Sequence, residues 1–110
     1  MGNIKDLQYR ALQIANHYDE YNRQVGRKGW DMRDHIEDLV GSVGDLAKAN
    51  MAVIERCGAA EKVEHELNDI MWSLLLLYRF YRLKPGASFL NSMDRVEERI
   101  VKMKSAGASL

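Results

Sequence analysis

From Ile4 to Met103 the apolar residues recur at intervals of three and four, and a single proline, Pro85, interrupts the pattern. That spacing is the 3.6-residue period of helices that bury one face. A sheet would need alternation and hairpin turns, but the chain has few β-branched runs and no Asn-Gly or Asp-Gly pair. The predicted fold class is all-α.

Four helical segments follow from the stripes and their breaks. Ile4, Leu7, Ala11, Ile14, Ala15 and Tyr18 draw the first, from about Asn3 to Gln24, which Gly26 and Gly29 then break. The second opens at Asp31, a good N-cap, with Asp34 placing negative charge near the positive end of the helix dipole. Ile36, Leu39, Val40, Val43, Leu46 and Met51 continue it to about Ile54. Gly41 and Gly44 lie inside this segment at a cost of about 1 kcal/mol each relative to Ala. Two reasons for them stand open: close helix packing, or room for a ligand. After a weak break at Cys57–Ala60, the third helix becomes apolar nearly all round between Ile70 and Tyr78, as expected of a central helix or a subunit interface. Lys84-Pro85-Gly86 marks the next turn, and Phe89, Met93, Val96, Ile100 and Met103 form a fourth stripe running to about Lys104.

Short connections between four amphipathic helices predict an up-down bundle, one domain over residues 1–104 with a flexible tail over 105–110. At 110 residues the expected radius of gyration is about 13 Å. A monomer this small hides only about 60–70% of the surface of its unfolded chain. A homo-oligomer, dimer or tetramer, is therefore expected.

Composition narrows the partners. Sixteen Lys and Arg balance sixteen Asp and Glu, leaving no basic surplus to coat nucleic acid. The single Cys57 excludes an internal disulfide, which suits a reducing compartment, and its neighbours Arg56 and Gly58 point to a structural thiol. Met1–Asp6 lacks the apolar core of a secretory signal, and Asp6 stands where a myristoylation pattern starting at Gly2 wants Ser or Thr. The longest nearly apolar run, Ile70–Tyr78, has nine residues, against about 20 needed to span a bilayer. These features together predict a cytoplasmic protein with neither a membrane nor a nucleic-acid partner.

The chemistry concentrates on the second and third helices. Asp38 and Asp45 are two turns apart with Ser42 between them, while Glu66 and Asp69 are one turn apart, and each flanks core positions. Two carboxylates about 4 Å apart repel by about 4 kcal/mol at an effective dielectric near 20. A hard divalent cation would relieve that conflict, and all-oxygen ligands favour Mg²⁺ or Mn²⁺ over Zn²⁺. The same acids also read as solvated helix faces paired with Lys48, Lys62 or Arg33. His17, His35 and His65 fall on three different helices without zinc-ligand spacing.

The run Leu39-Val-Gly-Ser-Val-Gly-Asp-Leu-Ala-Lys48, followed by His65-Glu-Leu-Asn-Asp-Ile-Met-Trp-Ser-Leu-Leu-Leu-Leu77, resembles the MazG-like, all-α nucleoside-triphosphate pyrophosphohydrolases. Their signature is E-x-x-E on one helix and E-x-x-D on the next. Trp30 before the second helix and Lys84-Pro-Gly-Ala-Ser-Phe-Leu90 extend the similarity, which covers about Gly26 to Val101. Glu66 and Asp69 match the second pair, whereas the first pair is altered to Ser42 and Asp45. The resemblance implies cleavage of a nucleoside triphosphate between its α and β phosphorus atoms, with Mg²⁺, or Mn²⁺ in its place, held by Asp45, Glu66 and Asp69 and assisted by Ser42 or Asp38. The three acids would carry the catalysis. Ser42 in a ligand position leaves a second reading: a helical oligomerisation or nucleotide-binding module whose metal site has degenerated.

Supporting candidates are Lys48, one turn after Asp45, and the basic pair Arg27-Lys28, for the phosphates, and Trp30 for stacking on a base. Each has a plainer role: Lys48 as a partner of Asp45, Arg27 and Lys28 as solvated charges, Trp30 in packing at the start of the second helix. Trp72 sits in the apolar run and reads as core.

Overall fold

The computed structural model describes residues 3–108. Four helices, α1 (Ile4–Gln24), α2 (Met32–Ile54), α3 (Ala60–Phe80) and α4 (Pro85–Ala108), account for nearly all of them, and no strand occurs among the described residues. None of the helices is long and apolar enough to cross a membrane. Residues 1, 2, 109 and 110, which include Gly2 and the end of the expected tail, lie outside the described residues. α4 itself continues to Ala108, past the Lys104 where its apolar stripe fades.

The helix starts follow local chemistry. The Asn3 side chain accepts the Asp6 N–H at 3.0 Å. At α2, the Asp31 carboxylate accepts the Asp34 N–H at 3.0 Å while the Asp31 N–H donates to the Asp34 carboxylate at 2.9 Å, a reciprocal capping box. The hydrogen bond from the Asp34 backbone, the largest influence, holds the Asp31 carboxyl below its ordinary pKa. Pro85 and Gly86, expected in a turn, instead form the first turn of α4, where the missing proline N–H costs nothing.

α1, α2 and α3 all end on a residue in the left-handed region. Gly26 (φ +76°), Arg56 (φ +61°) and Arg82 (φ +55°) each donate a backbone N–H three residues back, and the residue after each donates five residues back. This is the Schellman arrangement, which satisfies carbonyls that the helix end would orphan.

The α2–α3 hairpin, closed by the short Glu55–Ala59 connection, is the largest interhelical contact, and α1 packs across α3. Small residues let α1 approach: Ala11 is buried with Leu75 and Leu76, and Ile4, Ala15 and Trp72 pack around them. The Trp72 Nε1–H donates to the Ala11 carbonyl at 3.1 Å and the Gln8 amide to the Leu75 carbonyl at 3.4 Å, fixing the crossing.

α4 departs from the compact bundle expected. The connection Tyr81–Lys84 directs its first turn across the start of α1, where Gly86 comes close to Ile4. From Phe89 to Gly107 every residue of the helix is exposed. The radius of gyration is accordingly 18.5 Å and the longest extent 66 Å, against about 13 Å for a compact domain of this length.

Candidate functional site

Because α2 and α3 run antiparallel through a short turn, low-numbered positions of α2 meet high-numbered positions of α3. Asp38 and Asp69 thus line one cavity, while Asp45 and Glu66 line a shallower depression nearer the turn. Ser42, between the two acids of α2, is buried and is not among the residues lining either.

The cavity, of about 540 Å³, is bounded by α1, the α1–α2 connection, α2 and α3. Its walls combine the rings of Tyr18, Trp30 and Trp72 with the polar ends of Asp19, Asn22 and Arg27. At its back lies His35, only 4% exposed, whose ring sits edge-on to Trp30 and Trp72 with centroids 5.2 and 5.4 Å away. The Nδ1 atom of His35 is buried without a hydrogen-bond partner. Burial lowers the pKa of this imidazole, against the opposing pull of Asp19, Asp38, Asp34 and Asp31, so the neutral ring is favoured.

Along α3, one ligand atom each from the exposed His65 and the half-buried Glu66 and Asp69 lies within 4.8 Å of the others. His65 Nε2 stands 3.3 Å from Asp69 Oδ2, one helical turn along. Among the described residues this is the one His/Cys/acid group tight enough to hold an ion, and Asp45 is outside it. Two carboxylates offer what a hard cation of the Mg²⁺ type takes from a protein when substrate phosphates and water supply the rest.

The candidates drawn from the sequence therefore divide. Arg27, Trp30, Asp38 and Asp69 share the cavity, and Asp45, Lys48 and Glu66 share the depression of about 470 Å³. Lys28 points to neither; its ammonium lies 3.9 Å from Asp31 on the surface. Trp72, read as core, is core on one edge and cavity wall on another. Sequence reasoning missed Tyr18, Asp19, Asn22 and His35. Tyr18 and Asn22 are one turn apart, as are His35 and Leu39, so both rows were visible as helical neighbours. His65, noted in the sequence only for lacking zinc-ligand spacing, joins Asp69 through the i, i+4 spacing. No family model, curated protein or solved structure matches the chain.

Proposed function

We propose that this chain is a divalent-cation-dependent nucleoside-triphosphate pyrophosphohydrolase, with its site along the α2–α3 seam. The observation that carries the reading is the position of Asp69, which belongs both to the His65–Glu66–Asp69 cluster and to the aromatic-walled cavity. A ligand with a flat ring at one end and phosphates at the other matches that juxtaposition. The motif resemblance in Gly-Asp-Leu-Ala-Lys48 and Glu66-Leu-Asn-Asp69 supports it independently.

In this reading Trp30 and Tyr18 flank the base, and Asn22 and Asp19 offer hydrogen-bonding groups to its edge. Arg27 reaches the triphosphate from the cavity and Lys48 from the depression. Glu66 and Asp69 would hold the cation, Mg²⁺ or Mn²⁺, and Asp45, which lines the depression beside Glu66 but lies outside the cluster, is able to orient a water. The bound cation supplies charge neutralisation of the phosphates and polarisation of the phosphorus under attack. Water adds to that phosphorus, the bridging P–O bond breaks, and the products are the monophosphate and pyrophosphate.

Purified chain should release pyrophosphate from at least one ribo- or deoxyribonucleoside triphosphate with Mg²⁺ or Mn²⁺, and Asp69→Asn should abolish the release while leaving helicity unchanged. Silence across all common triphosphates with both ions refutes the hydrolase. One observation favours a second reading, a helical module with degenerated chemistry: Ser42 is buried and Asp45 stands apart from the cluster. Calorimetry beside the pyrophosphate assay separates the two, because an oligomerisation module gives no heat with Mn²⁺ plus nucleotide and a nucleotide-binding module gives heat without releasing pyrophosphate.

A further inference from the structure

The chain exposes too much surface for its mass. A compact monomer of 12.6 kDa shows about 6,200 Å², whereas this one shows 9003 Å². Hiding the excess of about 2,800 Å² on each of two chains gives an interface on the scale of the largest obligate homodimers.

The excess is apolar and arranged in stripes. On α2, Ile36, Val40, Val43, Met51 and Ile54 point outward, with Val40 67% exposed. Leu67, Met71 and Leu74 do the same on α3. Phe89, Met93, Val96, Ile100 and Met103 form the stripe of α4. An apolar groove of about 380 Å³, walled by Met71 and Leu74 on one side and Phe89 and Leu90 on the other, joins the α3 stripe to that of α4.

We propose that a second copy of this chain covers these faces by reciprocal exchange: α4 of each copy lies along the outward α2–α3 face of the other. Within one chain the main packing of α4 is a small contact with α1, and the α2 stripe stays exposed. A closed two-fold arrangement covers both faces of both copies at once, while a head-to-tail arrangement leaves one of each uncovered at its ends. The formal net charge of zero means that two copies meet without net repulsion. The exchange does not depend on the hydrolase reading.

The test uses two charge-swapped variants of the full chain, Val96→Lys/Ile100→Lys on α4 and Val40→Glu/Val43→Glu on α2. Light scattering on the unmodified chain should give about twice 12.6 kDa or an even multiple. Each variant alone should lose the dimer. Refolded together from urea, the two should recover a heterodimer, with an association constant at least tenfold above either variant alone, because the lysines of one meet the glutamates of the other. The mixture also reports if a single variant cannot fold unaided, since helicity then returns on mixing. A monomeric unmodified chain that unfolds cooperatively overturns the proposal and leaves the stripes to a different protein. Variants that stay dimeric, or a mixture that does not recover, overturn the reciprocal arrangement.

Discussion

Replacing Arg56 and Arg82 by Gly should stabilise the protein. Both residues hold positive φ at the ends of α2 and α3. For a residue with a Cβ that conformation costs about 1–2 kcal/mol. Glycine removes the strain but gives back about 0.4–1 kcal/mol through the greater freedom of the unfolded chain. Both arginines are exposed, so little packing is lost. The net gain expected is about 0.5–1 kcal/mol per site. The two turns lie at opposite ends of α3, about 32 Å apart, so the gains should add in the double variant. Urea unfolding at one fixed protein concentration measures this, with the midpoint rising and the slope unchanged. Gly26→Ala is the counterpart: an added Cβ meets nothing within 4 Å, so only the strain at φ +76° remains and stability should fall by about 1 kcal/mol. If both arginine replacements destabilise and Gly26→Ala does not, the helices do not close in the left-handed region and the geometry of all three turns is refuted.

Three further outcomes follow from two buried polar side chains and two uncrowded glycines. The folded protein lowers the pKa of His35 below its usual 6.5, so the unfolded chain binds the extra proton first. Stability is therefore full above that value and declines as pH falls through it, by at most about 1.4 kcal/mol per pH unit for one proton; His35→Asn should flatten that part of a stability-against-pH curve. Ser73 is 0% exposed and its hydroxyl has no partner, so Ser73→Ala should raise the unfolding free energy measured in urea by about 1 kcal/mol, and a loss would show that the hydroxyl is bonded. Gly41 and Gly44 have open space where a Cβ would go; Ala at either should add about 1 kcal/mol to thermal or urea stability, and a drop would place another backbone against that face.

Much of the local structure was legible. Asp31 and Asp34 announce the start of α2, and three- and four-residue recurrence gives all four helices, because both signals act within a few residues. What the pattern cannot resolve is which side of a doubly apolar helix turns inward. On α2, Leu39 and Leu46 face the hairpin while Ile36, Val40 and Val43 face out, yet all five fit one helical stripe. The polar row His35, Asp38, Ser42 takes the inner side with the leucines, a preference set by contact with α3 and absent from local spacing. The same limit hid the cavity: Tyr18 and Asn22 become its wall only because Ala11 and Ala15 let α1 settle onto α3.

The inversion of polarity links the site to the surface. Inside, the hairpin keeps two polar atoms, His35 Nδ1 and Ser73 Oγ, buried without partners, each costing about 1–3 kcal/mol. Outside, it displays the valines, leucines and methionines that would normally offset such a cost. A small domain whose buried apolar core, among the described residues, centres on Ala11, Leu75 and Leu76 has little margin for that arrangement. Polar strain persists in proteins where a binding site requires it, and the stability is then recovered elsewhere. In the proposed dimer that recovery would fall on the outward face of α2, α3 and α4. If the proposed ligand site and the proposed exchange both hold, the aromatic cavity and the exposed stripes have one cause: α2 and α3 would give their inner rows to a ligand and take from α4 of a second chain the burial that their own chain does not provide.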